Sequence, residues 1–100
     1  MKPIRFHPEA EAELTAAIAY YEGERNGLGV DFRKNVEDMT GRIRRNPHLF
    51  PARSADGYRK CPIKRFPYVV YYLDLDGEVW IAAVVHQHRR PGYWKNRSPR

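Results

Sequence analysis

The amino-acid sequence predicts an α+β domain in which two helices cover one face of a β-sheet. The first half of the chain carries two helical patterns separated by glycines, and the second half carries strand patterns joined by turn signals. A chain of 100 residues that is 42% hydrophobic and 13% aromatic has enough apolar surface for one core. We therefore expect a single domain over residues 1–100, in which residues 95–100 form a frayed tail.

The sequence begins with a strand pattern that leads into a helix. Residues 3–7 alternate apolar and polar side chains, which indicates a short strand with one buried face. Pro8 suits a first helical turn, and glutamates are favoured near the positive end of a helix dipole. Residues 8–24 contain five Glu and no Lys or Arg, so we expect this helix to show an acidic face to water. Its apolar stripe consists of Leu14, Ala17, Ile18 and Tyr21.

A second helix is predicted after two glycines. Gly27 and Gly29 are typical of the residues that end a helix, and they indicate a short turn. The next helical pattern continues to Arg45 and ends at Asn46-Pro47, because the residue before a proline disfavours helical backbone. Two helices joined by so short a turn should be antiparallel neighbours. The apolar stripe of the second helix consists of Phe32, Val36, Met39 and Ile43.

Three strand patterns follow in the second half of the chain. Their β-branched and aromatic content predicts strands at residues 58–63, 66–73 and 79–86. Between the last two, Asp76-Gly77 predicts a tight turn in which both residues have positive φ. Both faces of these two strands are apolar, so they should form the centre of the sheet, with the helices on one face and another cover on the opposite face. Strict alternation would place on one face the side chains of Val79, Ile81, Ala83 and Val85.

The sequence also indicates the cellular compartment of the protein. The sequence has no apolar run of about 18 residues, the length that a membrane-spanning helix needs. Its first residues lack the apolar core of a signal peptide. Cys61 is the only cysteine and has no partner for an internal disulfide, which fits a reducing compartment. We therefore expect a cytoplasmic protein that makes no membrane contact.

The formal net charge of +6 belongs to one part of the chain. Residues 1–57 hold nine Lys or Arg and nine Asp or Glu, whereas residues 58–100 hold nine Lys or Arg and three Asp or Glu. An acidic or polyanionic partner would therefore meet the C-terminal part. A non-toxic basic domain that binds nucleic acid non-specifically is one alternative that this charge alone would allow.

Several short motifs follow one another in a distinctive order along the chain. They are Tyr20-Tyr21-Glu22, Gly27-Leu28-Gly29, Asn46 to Pro51, Arg65 to Tyr68 and His86 to Trp94. In order, spacing and total length the sequence resembles the RelE/ParE superfamily of toxins from type II toxin–antitoxin modules. The resemblance implies an N-terminal strand, a helical hairpin and a three-stranded antiparallel meander, which form a four-stranded sheet with both helices on one face. It also implies a cognate antitoxin as partner, whose extended or helical segment wraps the toxin.

The superfamily contains two kinds of toxin. One branch cleaves messenger RNA on the ribosome, and ParE toxins block DNA gyrase without nuclease activity. Metal-free RNA cleavage needs groups that activate the 2′-hydroxyl, protonate the leaving oxygen and stabilise phosphate charge. Side chains of a suitable type are Arg59, Lys60, Lys64, Arg65, His86, His88, Arg89 and Tyr93. The catalytic set expected for a nuclease is Arg59, Lys64, His86, Arg89 and Tyr93.

Two positions argue against the nuclease. By resemblance, the nuclease branch carries basic residues at positions that match Cys61 and Val69 in this sequence. Neither a thiol nor an aliphatic side chain can stabilise phosphate charge there. We therefore expect a growth inhibitor that binds DNA gyrase, with a ribosome-dependent messenger RNA endonuclease as the alternative.

The basic and aromatic C-terminal part is the expected binding surface for the target or the antitoxin. Its members are Arg59, Lys64, Arg65, Arg89, Arg90, Tyr93, Trp94 and Arg97. For Tyr93 and Trp94 a second interpretation is open, in which both fold back over the helix-free face of the sheet. His86 is expected to close the end of the last strand with a side-chain hydrogen bond. We expect no cofactor and no metal site, because His86 and His88 have no third ligand at a recognised spacing.

Overall fold

A computed structural model describes residues 1–99. The elements in this part of the chain are β1 (Ile4–Phe6), α1 (Pro8–Glu24), α2 (Leu28–Arg45), β2 (Arg59–Pro62), β3 (Tyr68–Asp74) and β4 (Val79–His86). The strands form one sheet in the order β1-β4-β3-β2, in which β1 is parallel to β4 and the other neighbours are antiparallel. The predicted α+β class, the meander and the central position of β3 and β4 are confirmed. None of the helices in this part of the chain is long and apolar enough to cross a membrane.

Gly29 lies inside α2, which corrects its prediction as a turn residue. A Cβ atom on Gly29 would lie 2.5 Å from the backbone oxygen of Ile18 and 2.9 Å from Cβ of Glu22. Glycine is therefore required here because α1 and α2 approach each other too closely for a side chain. Gly27 precedes the helix with a φ of 87°, a left-handed conformation that glycine adopts without strain.

The carboxylate of Glu22, near the end of α1, caps the start of α2. It accepts hydrogen bonds from the backbone N–H groups of Gly27 at 2.9 Å and Gly29 at 3.0 Å. These N–H groups have no partner within the helix, so an acceptor from outside stabilises them. The bond from Gly27 is the largest cause of the lowered pKa of Glu22. The cap explains why the motifs Tyr20-Tyr21-Glu22 and Gly27-Leu28-Gly29 occur together.

The main core lies between the helices and the sheet. The predicted stripe of α2 is buried, from Phe32 to Ile43. Phe32 contacts the rings of Tyr21, Phe66 and Tyr68, with centroids 5.0 to 5.1 Å away. These contacts fix the helical hairpin on one face of the sheet.

β4 has its predicted ends, whereas the ends of the other strands differ from the prediction by one or two residues. β3 begins at Tyr68, because Arg65 takes a left-handed φ of 71° and Pro67 has no N–H group for the ladder. The connection is closed by a hydrogen bond from the backbone of Ile63 to Tyr68. At Asp76-Gly77 a turn is present, but neither residue has a positive φ. The predicted turn type is therefore wrong at this position.

β4 contains a β-bulge that changes which side chains face the helices. The partners of Tyr71 and Tyr72 on β4 are two residues apart, so Ala82 is an extra residue in the strand. Val84 consequently lies in the core under the helices, and Val85 lies on the opposite face. Strict alternation is wrong beyond the bulge, since one added residue reverses the facing of every residue that follows.

Candidate functional site

The C-terminal segment, residues 91–99, covers the face of the sheet away from the helices. Trp94 is 3% exposed and stacks on the ring of Tyr71 with centroids 4.4 Å apart. The ring of Tyr58 meets it edge-on at 4.7 Å. Of the two interpretations of Trp94, the one in which it folds back over the sheet is confirmed.

A groove runs between this segment and β2 to β4, and we call it the cationic groove. It encloses about 410 Å³, and its basic and aromatic lining residues are Lys60, Tyr71, His86, Arg89 and Trp94. None of the residues that line it, all within the part of the chain that the structure describes, is acidic. A groove lined by positive and not by negative side chains attracts an anionic or acidic partner. The groove is therefore the strongest candidate for a binding site.

A tight turn after β4 positions the basic side chains at one end of the groove. Nδ1 of His86 accepts a hydrogen bond from the backbone of His88 at 3.1 Å, which confirms the expectation that His86 closes the strand. The backbone of Arg89 donates to the oxygen of His86 at 3.0 Å. The Arg89 guanidinium then lies 4.2 Å from the ring centroid of Tyr93, a distance that suits a cation–π contact.

Tyr93 is held by a carboxylate from the first helix. Its hydroxyl donates to Oε2 of Glu13 at 2.5 Å. Burial, and after it the hydrogen bond to Glu13, raise the pKa of Tyr93 to about 12. Tyr93 therefore keeps its proton at neutral pH, so it can donate a hydrogen bond or hold a cation over its ring but does not act as a base.

Arg97 is part of the folded domain, which corrects the frayed tail predicted for residues 95–100. Its side chain is 8% exposed. The guanidinium donates to both carboxylate oxygens of Glu13 at 3.0 Å and to the backbone oxygen of Ala82 at 2.9 Å. Arg97 is thus engaged within the protein and is not a free binding residue. Arg100, the last residue of the predicted tail, lies outside the described residues.

Arg59 lies outside the groove and holds a loop in place. Its guanidinium donates to the backbone oxygen of Phe50 at 2.5 Å and lies 3.4 Å from Nδ1 of His48. The hydroxyl of Tyr72 donates to the backbone of Pro47 at 2.9 Å, in the same loop. Among the residues of the expected catalytic set, Arg59 therefore lies apart from His86 and Arg89, which line the groove.

The two positions that lack basic residues are both buried. Cys61 is 0% exposed and lies in the core under the helices. Burial raises the pKa of its thiol to about 12, so the thiol stays protonated and is a poor nucleophile. Val69 is 4% exposed and adds an apolar wall to the groove. Neither residue supplies charge or acid–base chemistry.

Lys64 and Arg65 are exposed on a different side of the protein, beside α2. Asn35 donates a side-chain hydrogen bond to the backbone oxygen of Lys64 at 3.2 Å, and the guanidinium of Arg65 lies 3.9 Å from Asp31. Lys64 lines a separate cavity of about 330 Å³ with residues of α2. The structure therefore brings together His86, Arg89 and Tyr93 from the expected nuclease set, and it leaves Lys64 apart from them.

Glu13 is the residue that sequence reasoning missed. Its place in the first turns of α1 indicated a solvent-exposed residue that interacts with the helix dipole, yet its side chain is 19% exposed and its partners are 71 to 84 residues away. No local signal could have found contacts over that separation.

Within residues 1–99, no three His, Cys, Asp or Glu side chains lie together in a way that could hold a metal ion.

Comparison with known proteins gives two findings. A family model described as "ParE toxin of type II toxin-antitoxin system, parDE" matches residues 4–91. A solved structure described as "Chromosomal ParDE TA system from P. aeruginosa" is similar with a TM-score of 0.70 and 16% identity, over 86% of this chain and 96% of that chain. No curated protein matches the sequence. At 16% identity the structural likeness carries the fold alone, and that fold agrees with the predicted strand, helical hairpin and meander.

Proposed function

Because the chain belongs to the ParE toxin family of type II toxin–antitoxin systems, we propose that it is a growth inhibitor that binds DNA gyrase and is neutralised by a cognate antitoxin. Both of these partners are cytoplasmic, so the proposal carries with it a cytoplasmic location. It treats the protein as a binding toxin and assigns it no catalytic step.

The burial of Cys61 and Val69 is the observation that carries this proposal. A nuclease of the superfamily would need exposed charge at these positions of β2 and β3 to stabilise a pentacoordinate phosphate. The Cys61 side chain instead lies under the helices, and Val69 is an apolar wall. The candidate acid–base residues lie on two sides of the protein. Cleavage would require them to act together at one phosphate, whereas binding to a partner does not.

The cationic groove is the surface that we assign to the target. Arg89, held over the ring of Tyr93, is the arginine that lines the groove, and the exposed Arg90 follows it in the chain. Arginine and aromatic residues are enriched among the few side chains that dominate binding energy. An acidic surface on gyrase would be complementary to the groove at Arg89.

The antitoxin is expected to bind through acidic residues as well. Lys64 and Arg65 are exposed beside α2, and β2 is an edge strand of the sheet. A flexible peptide can add a strand to such an edge or place a helix in a groove. We expect it to cover part of the cationic groove, so that target and antitoxin compete.

The test measures two activities of the purified protein. Added to DNA gyrase, it should block supercoiling of a relaxed plasmid, and added to a translation extract it should leave the messenger RNA intact. Cleaved messages together with normal supercoiling would overturn the proposal in favour of the endonuclease.

A charge-matched pair of variants tests the groove. Replacing both Arg89 and Arg90 by Ala should weaken gyrase inhibition at least about tenfold, because truncation of an arginine anchor commonly costs more than 1 kcal/mol of binding energy. The control replaces Arg33 and Lys34, two exposed cations of α2, by Ala and removes the same charge. An equal loss in both double variants would show that net charge, and not the groove, drives the inhibition.

A further inference from the structure

Beyond the end of β1, no strand among residues 1–99 pairs with the outer edge of β4. β1 pairs with β4 only as far as Ile81, and the backbone groups that follow must find other partners to avoid an energetic penalty. The oxygen of Ala82 accepts from Arg97 at 2.9 Å, and the N–H group of Val84 donates to Glu13 at 3.0 Å. Two side chains therefore supply partners to this edge at Ala82 and Val84.

Glu13 joins three separate parts of the chain. Besides Val84, its carboxylate accepts from the hydroxyl of Tyr93 and from both terminal nitrogens of Arg97. We call Glu13, Tyr93 and Arg97 the carboxylate clasp. Burial by itself would raise the pKa of Glu13, but hydrogen bonds from Arg97, Tyr93 and Val84 outweigh it and lower that pKa. The carboxylate is therefore charged and fully engaged at neutral pH.

The clasp is in contact with the cationic groove through Tyr93. The ring of Tyr93 lies between two cations, with Arg89 at 4.2 Å and Arg97 at 5.5 Å from its centroid. The next residue, Trp94, forms a wall of the groove. Tyr93 therefore links the carboxylate clasp to Arg89, through its ring, and to Trp94, through the chain.

We propose that Glu13 is a positioning residue of the cationic groove, which holds residues 92–97 against α1 and β4 so that Arg89 and Trp94 meet a partner in a fixed arrangement. This inference rests on the proposed function of the groove. A preformed arrangement avoids the entropy that would be lost if these side chains were ordered only on binding. Glu13 itself makes no contact with the partner.

The first test replaces Glu13 by Gln, which keeps the size of the side chain and removes its charge. Gyrase inhibition should fall about tenfold, equivalent to ordering one or two side chains on binding. The matched control is Glu9→Gln, the same change one turn earlier in α1. The side chain of Glu9 is 69% exposed and lies 3.8 Å from Arg97, so this control should change inhibition less than about twofold.

A second comparison separates positioning from stability. Val36→Ala removes core volume far from the groove, and it serves as a variant whose melting temperature is lowered at least as far as that of Glu13→Gln. Positioning predicts that Glu13→Gln loses more inhibition than Val36→Ala and that hydrogen exchange speeds up at the Val84 amide and in residues 92–97. Equal losses of inhibition, or full inhibition by Glu13→Gln with a loosened segment, would overturn the proposal.

Tyr93→Phe keeps the inference testable if Glu13→Gln does not fold. This change removes only the hydroxyl that Glu13 binds and leaves the ring under Arg89, so inhibition should fall about threefold through looser positioning. Unchanged gyrase inhibition by Tyr93→Phe would contradict the positioning role of Glu13. If the wild-type protein stops growth but leaves gyrase active, the proposed target is wrong, and the same variants are then compared by growth arrest.

Discussion

The two faces of the sheet are closed in different ways. On one face, the apolar stripes of α1 and α2 form a continuous core with the strands. On the other, a short segment lays Trp94 over Tyr71 and is held at its side by the polar contacts of Glu13 and Arg97. The helices contact side chains from all four strands. The C-terminal segment covers the other face only as far as Trp94 and leaves the cationic groove beside it. The groove therefore exists because the C-terminal segment covers only part of this face of the sheet.

The largest effect should come from the helical face. Phe32→Ala removes a fully buried ring that contacts three other aromatic rings, and it should lower the free energy of unfolding by about 4 kcal/mol. Trp94→Ala, its counterpart on the other face, should cost about 3 kcal/mol, at the low end for such a change, because the partly buried rings beneath it can relax into the space. Urea unfolding of both variants measures the difference, and equal losses would show that the two covers contribute equally.

A smaller effect is expected where the helices touch. Gly29→Ala would place a Cβ 2.5 Å from the backbone oxygen of Ile18, so it should destabilise the protein by about 2 kcal/mol through overpacking. A Cβ atom added to Gly23, in α1, would meet no neighbouring atom within 4 Å. Gly23→Ala should therefore stabilise the protein by about 0.5 to 1 kcal/mol, since alanine favours the helix. Thermal unfolding of the pair gives the sign of each change.

The smallest effect concerns pH and the polar cover. The pKa of Glu13 is lowered from its ordinary value of 4.5, so the unfolded state binds a proton more readily than the folded state does. The stabilisation from Glu13 is therefore complete above about pH 4.5 and is lost as the pH falls further. Arg97 and Tyr93 are hydrogen-bonded to it, and its charge also acts on Tyr68. The charged or titratable side chains of Tyr20, His86 and Arg89 line the same cavity as Glu13.

This pH dependence is obtained from the difference between wild type and Glu13→Gln. Their unfolding free energies should differ at neutral pH and converge as the pH falls below the lowered pKa of Glu13, where the wild-type carboxyl is protonated as well. Other carboxylates with lowered pKa, such as Glu22 and Glu78, are present in both proteins and cancel in the difference. A constant gap across this range would mean that the charge of Glu13 does not stabilise the fold.

The helical face was predictable because its signals are local. Periodic apolar residues such as Phe32 and Ile43 mark the buried side of α2, and Asn46-Pro47 marks its end. The bulge at Ala82 was not predictable from the same kind of pattern, since every residue around it is apolar on both faces. The pattern therefore carried no information on which face each side chain takes after the bulge.

The arginines proposed for binding were also predictable only in part. Arg89 and Arg90 were identified by type and position, and the structure leaves both exposed. Arg59 and Arg97 have the same chemistry in the sequence, but each is engaged by a backbone oxygen or a carboxylate of the fold. Which arginines are free for a partner depends on acceptors that are distant along the chain.

By itself, the sequence determined the two helices, the order of helices and strands along the chain, and the apolar stripes. It also determined that all six excess positive charges lie in residues 58–100. Only the tertiary structure decided that Glu13 binds Tyr93 and Arg97, 80 and 84 residues away, and that the cationic groove lies beside Trp94. The physical reason is the range of the interactions. Helix and strand patterns arise from neighbours a few residues apart, whereas the partly buried carboxylate of Glu13 is bonded by donors that only the folded chain brings to it.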